Sequence, residues 1–349
     1  MKVHMAHWQK PPRGFTQLGT SLEAPFHALD SVLTPPEQFF VCNAGDSVKV
    51  DASQYRLKIK GDAVQNVVTL NLDDLMALPQ HSVAACLECA GNQRTLFSKV
   101  DGQFTARESL GDDVAWTLGG VGMAEWSGPR LSDVLAVAGV RDTAAWVAPM
   151  GLDVMNPECD IEIPMPIDKA MHPDTLVGLH MNGAPLSVDH GAPARLIVPG
   201  WIGTYWVKWV GWLTVSAHEI RNYRTDEYYV IDGQTVTQQN IKSSLTLPFP
   251  ARLHRGQNRV YGFARSSGQE IDRVEWSVDD GAWQDAALVS GNSKWGWVRF
   301  TFDWDAAQGQ HHVRTRAWDV SGQCQPEKAY MNPGTMLYNA VIPHPVEIL

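Results

Sequence analysis

No run of lysine and arginine occurs anywhere in the 349 residues, and 38 acidic side chains against 28 basic ones leave a net charge of -10. Nucleic acid and anionic membrane surfaces are therefore poor partners. Long apolar runs are missing too. The strongest, between Arg195 and Lys208, has 12 residues interrupted by Pro199, Gly200 and Gly203, too few to cross a hydrocarbon layer of about 30 Å as a helix. The segment from Met1 to Phe15 lacks the apolar core of a secretory leader, and the terminal Glu347-Ile348-Leu349 is not the peroxisomal Ser-Lys-Leu address. As written, the chain is expected in the cytoplasm, or in the periplasm if a leader has been removed. Cysteine is scarce: Cys42, Cys86, Cys89, Cys159 and Cys324 are odd in number and scattered, which argues for free thiols and against a disulfide framework.

What is present favours strands. The chain carries 29 glycines and 21 prolines, is 44% hydrophobic and 19% charged, and exceeds the usual single-domain size of about 100–200 residues. Residues 1–35 read as an arm packed on the first domain. Two helices are expected: one from Asn71 to Pro79, with a capping Asn, early acids and a stopping Pro, and one from Leu131 to Ala138, apolar at i, i+3 and i+4 and followed by Gly139. After about residue 240 the pattern becomes that of strands. Arg273 to Val278 alternates into an Asp279-Asp280-Gly281 turn, and aromatic-rich runs follow around Trp297–Trp304 and His312–Trp318. Strands spaced by about ten residues suggest an immunoglobulin-like β-sandwich, with the boundary in the Lys242–Pro248 segment. The 14 tryptophans read as packing in β-rich domains, since the acidic charge opposes base stacking.

Chemistry is expected first at Ala85-Cys86-Leu87-Glu88-Cys89-Ala90-Gly91-Asn92-Gln93-Arg94. Taken alone, Cys-x-x-Cys permits a redox dithiol, half a zinc site, or two small buried thiols beside a turn. No second Cys-x-x-Cys or His-x-x-x-His completes four zinc ligands.

The string from Cys89 to Asn92 resembles the molybdenum-ligating loop of the sulfite oxidase family, and further segments continue the resemblance in order. They are Trp116 to Leu135, then Met181 to Trp209 with Asp189-His190-Gly191-Ala192-Pro193-Ala194-Arg195 at its centre, and a C-terminal stretch through Asn332-Pro333 and Leu337 to Ala340. The similarity covers most of residues 36–349. It implies an α+β fold: a molybdopterin-binding catalytic domain of mixed sheets and short helices over 36–240, then an immunoglobulin-like dimerisation domain over 241–349. It also implies molybdopterin carrying molybdenum, with Cys89 as the single protein ligand, a soft thiolate suited to a metal whose other sulfurs come from the cofactor. Asn43, Asp189, His190, Arg195, Val207 and Lys208 would contact the pterin and its phosphate, Phe40 would form a wall, and Tyr228 would point at the metal oxygen, with Tyr229 a competing register.

Two departures concern the pocket for a small anion. The family's Phe-Phe/Tyr-Val-Arg-Asn-His string is here Phe39-Phe40-Val41-Cys42-Asn43-Ala44, and a second arginine corresponds to Gly334. Cys42 is expected to be a small buried thiol filling the space of the lost arginine, and Arg107 is a candidate substitute. Two missing charges predict weak sulfite binding. The implied activity is oxygen-atom transfer at a Mo-oxo centre; an S-oxide or N-oxide reductase, or a Trp-rich protein that has lost the chemistry, are the other readings. No Cys-x-x-Cys-His haem signature occurs, so an external acceptor, a cytochrome or a small oxidant, and a homodimer are implied.

Overall fold

The computed structural model describes residues 8–11, 13–103, 115–153 and 162–349. It is mostly sheet with few short helices. The chain divides into two compact units: residues 1–13, 41–83 and 124–237 in one, and 14–40, 84–123 and 238–349 in the other. No helix of the described residues is long and apolar enough to cross a membrane.

The first unit is organised around a five-stranded sheet in the order Val68–Leu70, Leu57–Lys60, Val210–Ser216, Trp146–Gly151, Met165–Pro166. Only the pairing of Leu57–Lys60 with Val210–Ser216 is parallel. In Leu57–Lys60 the two apolar residues are buried and the two lysines exposed, the period-2 pattern of a sheet with one dry face. Helix Leu72–Ala77 forms as expected: the Asn71 side chain accepts from Asp74 N–H while the Asp74 carboxylate accepts from Asn71 N–H, satisfying two otherwise orphaned donors. Leu131–Ala136 is the second helix, burying Leu131, Val134 and Leu135, and Gly139 follows in the left-handed region.

The second unit holds an eight-stranded sheet in the order Lys242–Leu245, Gly256–Arg265, Trp297–Ala306, Gln284–Gly291, Ile271–Val278, Gly309–Asp319, His344–Ile348, Ala251–Leu253. Its core joins Val274, Phe300, Val313 and Val346, and the Trp276 and Phe302 rings stack at 4.3 Å. Asp279 and Asp280 both adopt positive φ, the geometry that turns a hairpin with the sheet's own twist. Lys242–Leu245, where a boundary was expected, is an end strand of this sheet with all four residues buried. The arm segment after Gly14 includes a small hairpin, Thr16–Leu18 with Ser21–Glu23. Its Glu23 carboxylate accepts from Thr117 N–H, Thr117 Oγ1 and Gly119 N–H at 2.6–2.8 Å.

Candidate functional site

In the second unit, strand Gln80–Glu88 ends immediately before Cys89. The Cys89 N–H donates to Gly120 O at 2.9 Å, Asn92 N–H to Cys89 O at 2.9 Å, and Leu337 N–H to Ala90 O at 2.8 Å. Three backbone bonds thus fix a turn on which the Cys89 thiol is half-buried. Cys86 is fully buried and burial pushes its thiol up to about 12, so it stays protonated. That pairing of one inert and one accessible thiol is not a working dithiol. Among the described residues no group of three or more His, Cys, Asp or Glu side chains stands together to hold a metal ion, so a half zinc site finds no completion there.

Beneath this turn lies a buried charge cluster that sequence reading assigned no role. Glu88 Oε1 accepts from Asn92 Nδ2 at 2.7 Å and from Lys242 Nζ at 2.9 Å, and Arg265 pairs with the same carboxylate. Asn92 Oδ1 in turn accepts Gly120 N–H at 2.9 Å. Burial pushes Lys242 down to about 7 and Arg265 to about 10. Arg94 is buried on the turn itself, its Nε donating to Thr335 O at 3.2 Å and Nη2 to Gly334 O at 3.4 Å. An added Cβ on Gly91 would lie 2.5 Å from that guanidinium. Gly91 therefore makes room for Arg94, a cation on the cysteine turn beside Gly334. The Cys89-to-Arg94 spacing was the signal available.

In the first unit the structure brings Asn43, Asp189, His190, Arg195 and Lys208 together. A single 3-10 turn, Val188–His190, ends at Gly191 with φ of 101°; a Cβ there would meet Arg195 Cβ and Lys208 Cβ at 3.1 Å. Only glycine lets both cations approach the turn so closely. Lys208 Nζ donates to Asp189 O at 3.1 Å and contacts Asn43 Oδ1. Arg195 is buried; its Nη1 donates to His190 O at 3.1 Å, its Nη2 to Trp206 O at 2.9 Å, its face lies 5.1 Å from the Trp126 ring centre, and Nε has no hydrogen-bond partner. Val207 contributes its carbonyl, which accepts Leu196 N–H at 2.8 Å. Burial pushes Arg195 down to about 9 and Lys208 to about 7, and for Lys208 repulsion from Arg195 acts in the same direction. The Asp189 carboxylate is filled by the chain's own donors: Ser47 Oγ, Gln9 N–H and Lys10 N–H, each at 2.7 Å.

The remaining expectations divide. Tyr228 ends a π-helical turn, Arg224–Tyr228, a form frequent at functional positions. Its ring lies 4.9 Å from that of Tyr229, and both are half-exposed. Phe40 is buried in the second unit, edge-on to Trp116 at 5.9 Å. Cys42 overturns its expectation: it is exposed, not buried. Its neighbour Val41 is buried instead. Arg107 lies outside the described residues.

A family model described as an oxidoreductase molybdopterin binding domain matches residues 44–224, and a Mo-co oxidoreductase dimerisation domain matches 234–348. The sulfite oxidase of Arabidopsis thaliana is 31% identical, with 91% of this chain and 90% of that protein aligned. The chain belongs to the sulfite oxidase family. Mitochondrial sulfite oxidase of Rattus norvegicus is also 31% identical over 92% of this chain, which spans 63% of that protein's length. The crystal structure of the sulfane dehydrogenase SoxCD from Paracoccus pantotrophus superposes with a TM-score of 0.82 at 26% identity, covering 96% of this chain and 88% of that one. The cofactor of a sulfite oxidase family member is molybdopterin with molybdenum, and the residues present fit it. A buried arginine with an idle Nε and a neighbouring lysine suit an anionic organic group, and one accessible thiol suits a metal supplied with its own sulfur ligands.

Proposed function

We propose that the chain is a molybdenum-dependent oxidoreductase acting on a small sulfur-containing anion, with Cys89 as the protein's one donor to the metal. The observation that carries this reading is the half-buried Cys89 thiol, held on a turn by Gly120, Asn92 and Leu337. When bound, the cofactor supplies two-electron redox chemistry coupled to oxygen-atom transfer. The chain's residues do the rest. Arg195 and Lys208 hold the anionic end of the pterin with Asn43 and His190, while Asp189 orients the segment they sit on and Val207 and Phe40 supply walls. Tyr228 would hydrogen-bond near the exchangeable oxygen of the bound cofactor. Arg94 supplies fixed positive charge for the substrate where Cys42 and Gly334 supply none, so sulfite binds weakly but not negligibly. Residues 36–240 carry the cofactor; residues 241–349, as an immunoglobulin-like sandwich, form a homodimer; electrons leave to an external acceptor.

The test is molybdenum and pterin content of the purified protein, followed by turnover with sulfite, a sulfane-sulfur compound and a sulfoxide panel. Stoichiometric molybdenum in the parent protein, with activity abolished in Cys89→Ser without loss of fold, is the expected result. Unchanged turnover in Cys89→Ser refutes the ligand assignment. Sulfoxide reduction without sulfite oxidation reverses the direction, and absence of molybdenum from cofactor-competent cells leaves a binding protein.

A further inference from the structure

The segment Gln9–Lys10 and the Asp189–Gly191 turn meet across about half the chain. Both oxygens of the Asp189 carboxylate are occupied by successive backbone donors, Gln9 N–H on Oδ1 and Lys10 N–H on Oδ2, each at 2.7 Å. This two-pronged capture by an anion fixes the backbone and with it the direction of the Lys10 side chain. Lys10 Nζ then stands 3.0 Å from His190 Nε2. Three cations, Lys10, Arg195 and Lys208, are thereby gathered around one turn. The one carboxylate on that turn, Asp189, is already saturated by Ser47, Gln9 and Lys10. Among the described residues neither Arg195 nor Lys208 has an Asp or Glu within ion-pair distance, and Arg195 Nε is buried with no acceptor. Asp153 and Asp189 attract Lys208 without reaching ion-pair distance, so the like charges are compensated in part, and an anion of more than one charge would complete the compensation.

We propose that the N-terminal segment is part of the cofactor site: Asp189 clamps it so that Lys10 completes, with Arg195 and Lys208, a three-cation seat for the phosphate of the pterin. The inference rests on the proposed cofactor reading. It also explains why Asp189 is acidic in a cationic site: its charge is spent on holding the segment.

Release of the cofactor from the full-length holoenzyme tests it. Molybdenum and the fluorescent oxidised pterin are counted per chain through successive gel-filtration passes in buffer containing inorganic phosphate as competitor. Loss of one charge-assisted contact changes binding by about 10–150-fold, and for a half-exposed lysine we expect Lys10→Gln to release cofactor about 10-fold faster than the parent protein. Lys10→Arg should release at nearly the parent rate, and raising the salt should narrow the gap between Gln and Lys. Equal retention in Lys10→Gln and parent overturns the inference while leaving the cofactor reading intact. Slower release or faster loading in Lys10→Gln overturns it too, by making the segment a plug. A parent protein containing neither molybdenum nor pterin defeats the underlying reading instead.

Discussion

The two units bury positive charge in opposite ways. In the second unit, Lys242 and Arg265 share the Glu88 carboxylate, which also takes Asn92 Nδ2, so the protein itself supplies a carboxylate that pairs with both cations. In the first unit, Arg195 and Lys208 donate to backbone carbonyls and an amide oxygen. A backbone carbonyl satisfies a donor but does not neutralise a charge. The difference teaches where to look for ligands. Cations paired with a buried carboxylate at ion-pair distance are scaffolding for the Cys89 turn, whereas cations with no carboxylate at that distance are placed to take an anion from outside.

The largest expected effect follows from breaking the Glu88 cluster. Glu88→Gln leaves two buried cations without a counter-charge and should lower stability by about 3–5 kcal/mol, read as a fall in urea midpoint of the full chain. Replacing Glu88 and Lys242 together by Gln and Met should recover part of that loss, because the pair goes as a unit. A midpoint unmoved by Glu88→Gln would mean the cluster is not an ion group.

His344 shows a third way of handling buried charge: giving it up. It is buried, its Nε2 hydrogen-bonds Pro248 O at 2.7 Å, and burial pushes its pKa down from 6.5 to about 4. The folded state therefore refuses a proton that the unfolded chain accepts. The stability it contributes is complete above the unfolded value and is lost as pH falls from about 6.5 towards 4, by about 3 kcal/mol in all. A His344→Gln chain should lack this part of the acid slope; identical slopes would count against a neutral buried His344.

Sequence made some of this visible and hid the rest for a physical reason. Leu72–Ala77 was legible because its cap and its stop act within four residues, and Leu131–Ala136 because its apolar spacing puts Leu131, Val134 and Leu135 on one buried face. Likewise the Asp279-Asp280 turn is a local choice of φ. The grouping of Asp189, His190 and Arg195 was expected from the family resemblance of one short segment, and one 3-10 turn with the strand after it does bring them together. What escaped were meetings over long separations. Gln9 and Lys10 with Asp189, Glu88 with Arg265, and Arg94 with Gly334 are decided by which strands the topology brings side by side. Cys42 failed for a different reason: the residue type lost at a position says nothing about which way its backbone faces.

A smaller effect separates specificity from stability in the second unit. Gly91→Ala places a methyl against the Arg94 guanidinium and displaces this buried group from Thr335 O and Gly334 O, at a stability loss of about 1–3 kcal/mol. If Arg94 binds the substrate anion, the KM for sulfite should rise by about 10–150-fold with kcat changed far less. An unmoved KM would assign Arg94 to its carbonyl partners alone.

The smallest effect is the one that most directly opposes the two units. In cofactor-free protein, Arg195→Met removes a buried charge whose Nε has no partner, which favours folding, and leaves His190 O and Trp206 O without their donor, which opposes it. The two terms should cancel to within about 1 kcal/mol, against the 3–5 of Glu88→Gln. The same comparison repeated with inorganic pyrophosphate should split the chains. A polyanion that binds only the folded parent raises its midpoint by the linkage relation, about 2.7 kcal/mol at a concentration 100 times Kd, while Arg195→Met stays put. If pyrophosphate stabilises both chains alike, or if Arg195→Met costs as much as Glu88→Gln, then the first unit's cations are scaffolding too.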